Sequence, residues 1–429
     1  MRFDLQHQAD QLVMMMNRIY YRGMTTTSGG NLSIMDEFGD IWITPSGVDK
    51  GMLTRDDIVQ IKPDGTVLGH HKPSSEHPFH EAVYRCRPDI KAVLHAHSPA
   101  VVSFSALHTL PEIYLIPNIK LICGEITIAP YALPGSEALG KTIAAEFAKG
   151  FSVVILENHG VVIGADSIFS AFMAFETLEY CSQLHINALK LGELRPLNHE
   201  LIDSLAKTND TMPEFIPDFH TSEEKALRRD LIKFIHRSYE QALFTSTQGT
   251  YSARLSDGSF LITPFGLDRQ YLEAEDLVLI RDGQKEKGKR PSRSVTLHQE
   301  IYSVHPEIRS ILIAHPPSIM AFAVTDAEFD PRTIPESYIV LREPEKAEFG
   351  DSYRQPKKLA RMISDKVPVV ICKNDCVIIT GSSLLNAFDR LEVAEFTAKS
   401  IIASKGVGEI MHIKKSDIDD INAAFHLKD

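Results

Sequence analysis

The strongest constraint on this chain is that much of it is written twice. Leu261-Ile262-Thr263-Pro264-Phe265-Gly266-Leu267-Asp268 restates Trp42-Ile43-Thr44-Pro45-Ser46-Gly47-Val48-Asp49. Pro291-Ser292 followed by His298 restates Pro73-Ser74 followed by His80. Pro306-Glu307-Ile308-Arg309, running to His315, restates Pro88-Asp89-Ile90-Lys91, running to His97. Val369-Val370-Ile371 restates Val153-Val154-Ile155. The shift between paired landmarks stays between 216 and 219 residues. A near-constant offset over four landmarks indicates tandem duplication, so each half must close its own core on one plan. Length agrees, since 429 residues exceed one ordinary core and suit two domains. We expect a first domain over residues 1–207, a linker over 208–221 and a second domain over 222–429. The linker is placed where Pro213 and Pro217 sit among polar residues.

Within the first copy, Leu5, Leu12, Val13, Met16, Ile19 and Tyr20 recur at helical spacing, and Gly23 suits the end of that helix. Helices are also expected near residues 80–87, 99–107, 137–149 and 167–191, and strands near 90–97, 125–129 and 153–157. Residues 36–44 read as a hairpin. Three small-residue loops punctuate these elements: Thr27-Ser28-Gly29-Gly30-Asn31, Thr44-Pro45-Ser46-Gly47 and Pro73-Ser74-Ser75-Glu76. Such loops are usually only turns. Three in one copy, rich in Ser, Gly and Asn, also suit a pocket where backbone N–H groups and hydroxyls cradle a phosphate.

The stretch Ala92-Val93-Leu94-His95-Ala96-His97 carries two histidines one residue apart. Side chains alternate along a strand, so His95 and His97 point the same way. A third, His159, closes the apolar run Val153-Val154-Ile155-Leu156, and Glu76 supplies a carboxylate. One histidine alone more often caps a strand end, and a lone glutamate is more often a surface charge. Together, three imidazoles and a carboxylate make a divalent-metal set, with zinc the natural first choice. The second copy differs at these positions. Ser294 stands for Glu76, Ile313 for His95 and Asp375 for His159, while His315 keeps the imidazole of His97. Thr250 replaces Asn31 and Phe265 replaces Ser46. The first copy is therefore expected to hold metal, and the second to keep the fold without that site.

Composition excludes other classes. A net charge of −12 argues against a general nucleic-acid binder. The basic residues between Lys285 and Arg293 read as a solvated loop. No apolar run reaches the roughly 20 residues of a membrane span, and the N-terminus shows no export pattern. Five scattered cysteines fit free thiols in a reducing cytoplasm.

Ser28-Gly29-Gly30-Asn31, Thr44-Pro45-Ser46-Gly47, Pro73-Ser74-Ser75-Glu76, His95-Ala96-His97 and Asn158-His159-Gly160 together resemble the class II aldolase/adducin family, and most nearly its L-fuculose-1-phosphate aldolase branch. One departure is the double glycine before Asn31, where the family more often has one. The resemblance implies tandem three-layer α/β/α domains with largely antiparallel central sheets. It implies that His95, His97 and His159 bind zinc, one ion per chain in the first domain. Glu76 would be a fourth ligand that swings away to act as base. Asn31, Ser46, Gly47, Ser74 and Ser75 would hold a substrate phosphate. A tyrosine from a neighbouring subunit would donate a proton, with Tyr114 the candidate and Tyr338 its counterpart in the second copy. The expected partners are a small phosphorylated sugar and further copies of the chain, as a dimer forming a pseudo-tetramer or as a tetramer.

The implied activity is a lyase reaction, cleavage of a ketose 1-phosphate to dihydroxyacetone phosphate and an aldehyde. Breaking that carbon–carbon bond leaves an enediolate whose charge a dication would stabilise. An epimerase, dehydratase or decarboxylase of a related phosphorylated sugar or sugar acid is the enzymatic alternative. Related pentose-phosphate epimerases typically carry aspartate where this chain has Glu76, which favours the aldolase. A metal-free assembly module of the adducin kind is the non-enzymatic alternative.

Overall fold

The computed structural model describes residues 3–203 and 212–427. They form two compact units, Met1–Ile113 with Asn118–Gln183, and Tyr114–Pro117 with Leu184–Asp429.

The first unit is built on an eight-stranded sheet. Its strands are β1 (Asn31–Met35), β2 (Ile41–Ile43), β3 (Val59–Ile61), β4 (Val67–Leu68), β5 (Ala92–Ala96), β6 (Ile126–Ala129), β7 (Val153–Leu156) and β8 (Gly160–Ala165). They run in the order β4-β3-β2-β1-β5-β8-β7-β6. Every pairing is antiparallel except β6 with β7. Among the described residues, the α-helices in this part of the chain are α1 (Gln8–Tyr21), α2 (His77–Cys86), α3 (Pro99–Leu107), α4 (Pro117–Cys123), α5 (Glu137–Ala148) and α6 (Ile168–Leu189).

Strand alternation decides which residues meet which helices. Val93, Val154 and Val162 share one sheet face with Phe79 and Val83 of α2 and Ile143 and Phe147 of α5 in a single apolar core. Burying each such side chain stabilises the unit by roughly 1.5–3 kcal/mol. Leu94, Ile155 and Ile163 have the opposite parity and are buried too. The far face is therefore also covered, which makes three layers, with α1 along β1 and β2 and α3 along β7 and β8. His95 pairs with Val162 across β8 and with Asn31 across β1, so it belongs to the face under α2.

The second unit repeats the plan. Strands Thr250–Arg254, Phe260–Ile262, Val278–Arg281, Gln284–Glu286, Ser310–Ala314, Glu345–Ala347, Val369–Cys372 and Cys376–Gly381 take the same lateral order as β1 to β8. A ninth strand, Glu214–Phe215, adds in parallel beside Gln284–Glu286. It comes from the expected linker, of which residues 208–211 lie outside the described part. Register is preserved to the residue: Asn31 faces His95, and Thr250 faces Ile313. Bridges at Pro45–Pro73 and Pro264–Pro291 recur as well. The fold is thus the expected pair of α/β/α domains with largely antiparallel sheets. Among the described residues no helix is long and apolar enough to cross a membrane.

Candidate metal centre

His95 lies near the end of β5, and His97 follows just beyond it. The β7–β8 hairpin delivers His159. Its turn needs a left-handed residue, and Asn158 takes that place at φ 52°. Ser105 of α3 pins the turn by accepting from the His159 backbone N–H and donating to Leu156 O. Gly160 opens the space. A Cβ there would stand 2.6 Å from both Ala96 O and His97 Cδ2. At Gly30, which has φ 73°, a Cβ would stand 2.7 Å from His95 O.

The three imidazoles converge, with ring centroids 4.6, 4.7 and 5.0 Å apart. One ligating nitrogen from each lies within 4.8 Å of the others. His95 Nδ1 sits 2.9 Å from Val161 O and so carries its proton there, leaving Nε2 as a lone pair. That Nε2 is 2.8 Å from His97 Nε2. Burial, with the neighbouring imidazoles, pushes both His95 and His97 down to about 3. Burial also lowers His159. These rings are neutral at ordinary pH, which is the form that binds metal.

Glu76 closes the group from the N-terminal end of α2. Its Oε2 lies 3.3 Å from His95 Nε2 and accepts from Asn31 Nδ2 at 2.8 Å, while Oε1 lies 3.6 Å from His159 Nε2. Glu76 Oε1 and His159 Nδ1 are buried with no hydrogen-bond partner. Unpartnered buried polar atoms are costly, and Glu76 Oε1 faces the His159 ring. Three nitrogens and a carboxylate oxygen with these vacancies fit a borderline-soft dication such as zinc.

The small-residue loops flank this group. Ser46 N donates to Lys72 O and Ser74 N to Thr44 O, joining the two loops at the Pro45–Pro73 bridge. Ser74 is buried, whereas Ser46, Gly47 and Ser75 are exposed. Asn31 is the link between loops and carboxylate. Sequence reasoning missed Lys50. It is buried behind the Thr44-Pro45-Ser46-Gly47 loop, its ammonium donates to Pro45 O, and burial pushes it down to about 8. A lysine at a turn reads as a surface charge. Only its counterpart Arg269, equally buried and donating to the Leu267 and Gly249 carbonyls, marks the position as a loop tie.

The tyrosines stand apart from this cluster in the chain's division. Tyr114 groups with the second unit, half-buried, with its ring tilted against His199 at 4.0 Å between centroids. Tyr338 is buried and donates to Asn422 Oδ1 at 3.1 Å, beside a cavity of about 530 Å³.

In the second unit the corresponding place is filled differently. Arg290 stacks on Phe265 at 4.0 Å, where the first copy has Ser46. Cys376 occupies the position of Gly160. Cys372, Asp375 and Cys376 do bring ligating atoms within 4.8 Å of one another. Hydrogen bonding to Cys372 and burial push the Cys376 thiol up, and burial raises Asp375, whose carboxylate accepts from Ser352.

An antiparallel-centred α/β/α domain with this set of residues at its strand ends defines the class II aldolase fold. The chain belongs to that family: the model for the class II aldolase and adducin N-terminal domain matches residues 10–186 and 229–402. A 5-deoxy-D-ribulose 1-phosphate aldolase of Bacillus thuringiensis is 35% identical over 211 residues, 47% of this chain and 95% of that protein. A 3-oxo-tetronate 4-phosphate decarboxylase of Escherichia coli is 32% identical over 200 residues, 43% of this chain and 94% of that protein. An L-fuculose phosphate aldolase of Methanocaldococcus jannaschii is 34% identical over 175 residues, 41% of this chain and 93% of that protein.

Proposed function

We propose that the first copy is a zinc-dependent aldolase that cleaves a ketose 1-phosphate to dihydroxyacetone phosphate and an aldehyde. The carrying observation is the convergence of His95, His97 and His159 on Glu76, whose Oε1 has no partner. These four residues would hold one zinc per chain. Zinc supplies Lewis-acid stabilisation of the negative charge that develops as the carbon–carbon bond breaks. Glu76 Oε1 takes the substrate hydroxyl proton as base. Asn31, Ser46, Gly47, Ser74 and Ser75 orient the phosphate end, Ser46 and Ser74 through their hydroxyls because their backbone N–H groups join the two loops. Tyr114 returns a proton to the product, and Tyr338 is the competing candidate. The second copy serves as scaffold and interface, in a dimer that forms a pseudo-tetramer or in a tetramer. On this reading domain one ends at residue 207 and domain two begins at residue 222.

The relatives support a sugar phosphate as substrate, since two of the three carry aldolase names of that kind. A second reading, decarboxylation of a phosphorylated 3-oxo acid, is favoured by the Escherichia coli relative. Both reactions demand stabilisation of the same kind of developing charge, so the test must separate products. Purified chain is incubated with a panel of ketose 1-phosphates and with phosphorylated 3-oxo acids, each with and without chelator. Aldehyde release that chelator abolishes is the expected result. Carbon dioxide release alone would replace the aldolase by the decarboxylase. Absence of both, in protein that takes up no zinc, would leave the assembly-module reading.

A further inference from the structure

We propose that a buried chain of hydrogen bonds, from Tyr84 through Ser33, His80 and Asn31, sets the orientation of Glu76, making His80 a positioning residue for the site; this rests on the metal-centre reading above.

The last link fixes the direction of the two bonds nearest the carboxylate, and the neutral, buried ring fixes the other two. A carboxylate only accepts, so the Asn31 amide presents Nδ2 to Glu76 Oε2, at 2.8 Å. Asn31 Oδ1 then faces His80 Nε2 at 2.5 Å, and an amide oxygen also only accepts. His80 must therefore carry its proton on Nε2. The ring is fully buried, and that burial, with His95 and His77 nearby, holds it well below its ordinary range. It is neutral, so Nδ1 is a lone pair, and Ser33 Oγ donates to it at 2.7 Å. Ser33 Oγ accepts in turn from the Tyr84 hydroxyl at 2.7 Å. All four donors point toward Glu76. Turning the Asn31 amide over would set an oxygen against the carboxylate and leave His80 facing an N–H group. The chain thus locks Oε2 in place and leaves Oε1 on the side of His159.

The sequence builds this relay from two simple spacings. Asn31 and Ser33 are two apart on β1 and share a face, which is also the face of His95. His80 and Tyr84 are four apart on α2 and share a stripe. Phe79 stacks on the His80 ring at 4.5 Å and limits its tilt.

The second copy keeps only the inner part. Ser252 bonds His298 at 2.6 Å and Tyr302 at 2.7 Å. Thr250 has turned to Ser292 at 2.6 Å, and His298 Nε2 is buried without a partner. Tyrosine, serine and histidine therefore serve packing in both copies. The Asn31 and Glu76 links exist in the first alone, so each substitution in the first relay has a matched control in the second.

The test compares His80→Leu with His298→Leu in the whole chain. Zinc affinity is read by competition with a chromophoric chelator, alongside the thermal midpoint. Loss of a supporting partner of a ligand weakens metal binding by about 10–100-fold. That loss is expected for His80→Leu, with most of it restored in His80→Gln, whose amide can donate to Asn31. His298→Leu should lower the thermal midpoint and leave zinc affinity unchanged. Should His80→Leu fail to fold, Ser33→Ala against Ser252→Ala decides in the same way. Wild-type zinc affinity in both members of the deciding pair overturns the relay alone. A wild-type chain that takes up no zinc overturns the metal-centre reading and the relay with it.

Discussion

The two copies differ less in their backbones than in a handful of side chains at strand ends. Both have the same strand order, the same β1–β5 register and the same proline bridge. Both bury a tyrosine–serine–histidine group between sheet and helix. Yet His95 has become Ile313, His159 has become Asp375 and Glu76 has become Ser294. The fold depends on alternating apolar residues and on a buried tyrosine–serine–histidine group that both copies keep, although only the first pairs the far nitrogen of its histidine. Site residues add little to it, and converging neutral imidazoles are even a burden on stability. On the proposed reading the first copy supplies the chemistry, which leaves the second free to trade a strand-end histidine for an isoleucine that packs.

The sharpest way to break that comparison is His95→Ala beside His315→Ala. His95 is fully buried, and its Nε2 lies 2.8 Å from His97 Nε2 and 3.3 Å from Glu76 Oε2. Its removal should abolish zinc uptake and turnover together, a loss beyond the roughly 10–100-fold cost of a supporting residue. His315→Ala should leave both intact. Zinc analysis and turnover of the two variants check this, and equal effects would erase the distinction between copies. Next in size is Glu76→Gln. Removing a general base costs about 10²–10⁴-fold in kcat. The amide keeps the size of the side chain, so folding should persist. A kcat within about twofold of wild type would remove Glu76 from the proton transfer.

Much of this was legible in the sequence, and the reasons are specific. The repeat offset carried the architecture because register is conserved between copies, down to Asn31–His95 and Thr250–Ile313. The same-face argument brought His95 and His97 together because a strand has a period of two. His159 could be placed because a hairpin turn ends the run at Leu156. Lys50 was not legible, since nothing local says that a turn lysine folds inward to a carbonyl. Nor was the Ser33–His80–Tyr84 group, whose members come from two elements with no shared pattern. The strand Glu214–Phe215 was read as linker, because two residues carry no alternation.

A smaller effect separates the copies by acid. An unfolded histidine takes up its proton near pH 6.5. His95, His97 and His298 in the folded chain stay neutral until about 3 and His315 until about 4, with His80 and His159 lowered too. Between these limits the unfolded chain holds more protons, so stability falls as pH drops below 6.5 and is flat above it. The first copy carries four such groups and the second two, so metal-free protein should lose its first copy earlier. Trp42, the single tryptophan, lies in the first copy and reports it alone. Its fluorescence midpoint should fall by several degrees more than the whole-chain circular dichroism midpoint between pH 7 and pH 5. Parallel shifts would show that the copies unfold as one.

The smallest expected effect concerns the tyrosines. Tyr338 is buried, and its hydroxyl already donates to Asn422 Oδ1, an acceptor it shares with Arg342. A hydroxyl held this way contributes about 0.5–1.5 kcal/mol to its own unit. Tyr338→Phe should therefore cost that much stability, measured by denaturant titration, and leave kcat and zinc content unchanged. Tyr114 is half-buried, and Tyr114→Phe should lower kcat with zinc retained. The reverse pattern would be more informative than the expected one. A fall in turnover from Tyr338→Phe, with zinc intact, would mean that the copy without the metal ligands still delivers a proton. The division of labour would then lie between two halves of one reaction rather than between site and scaffold.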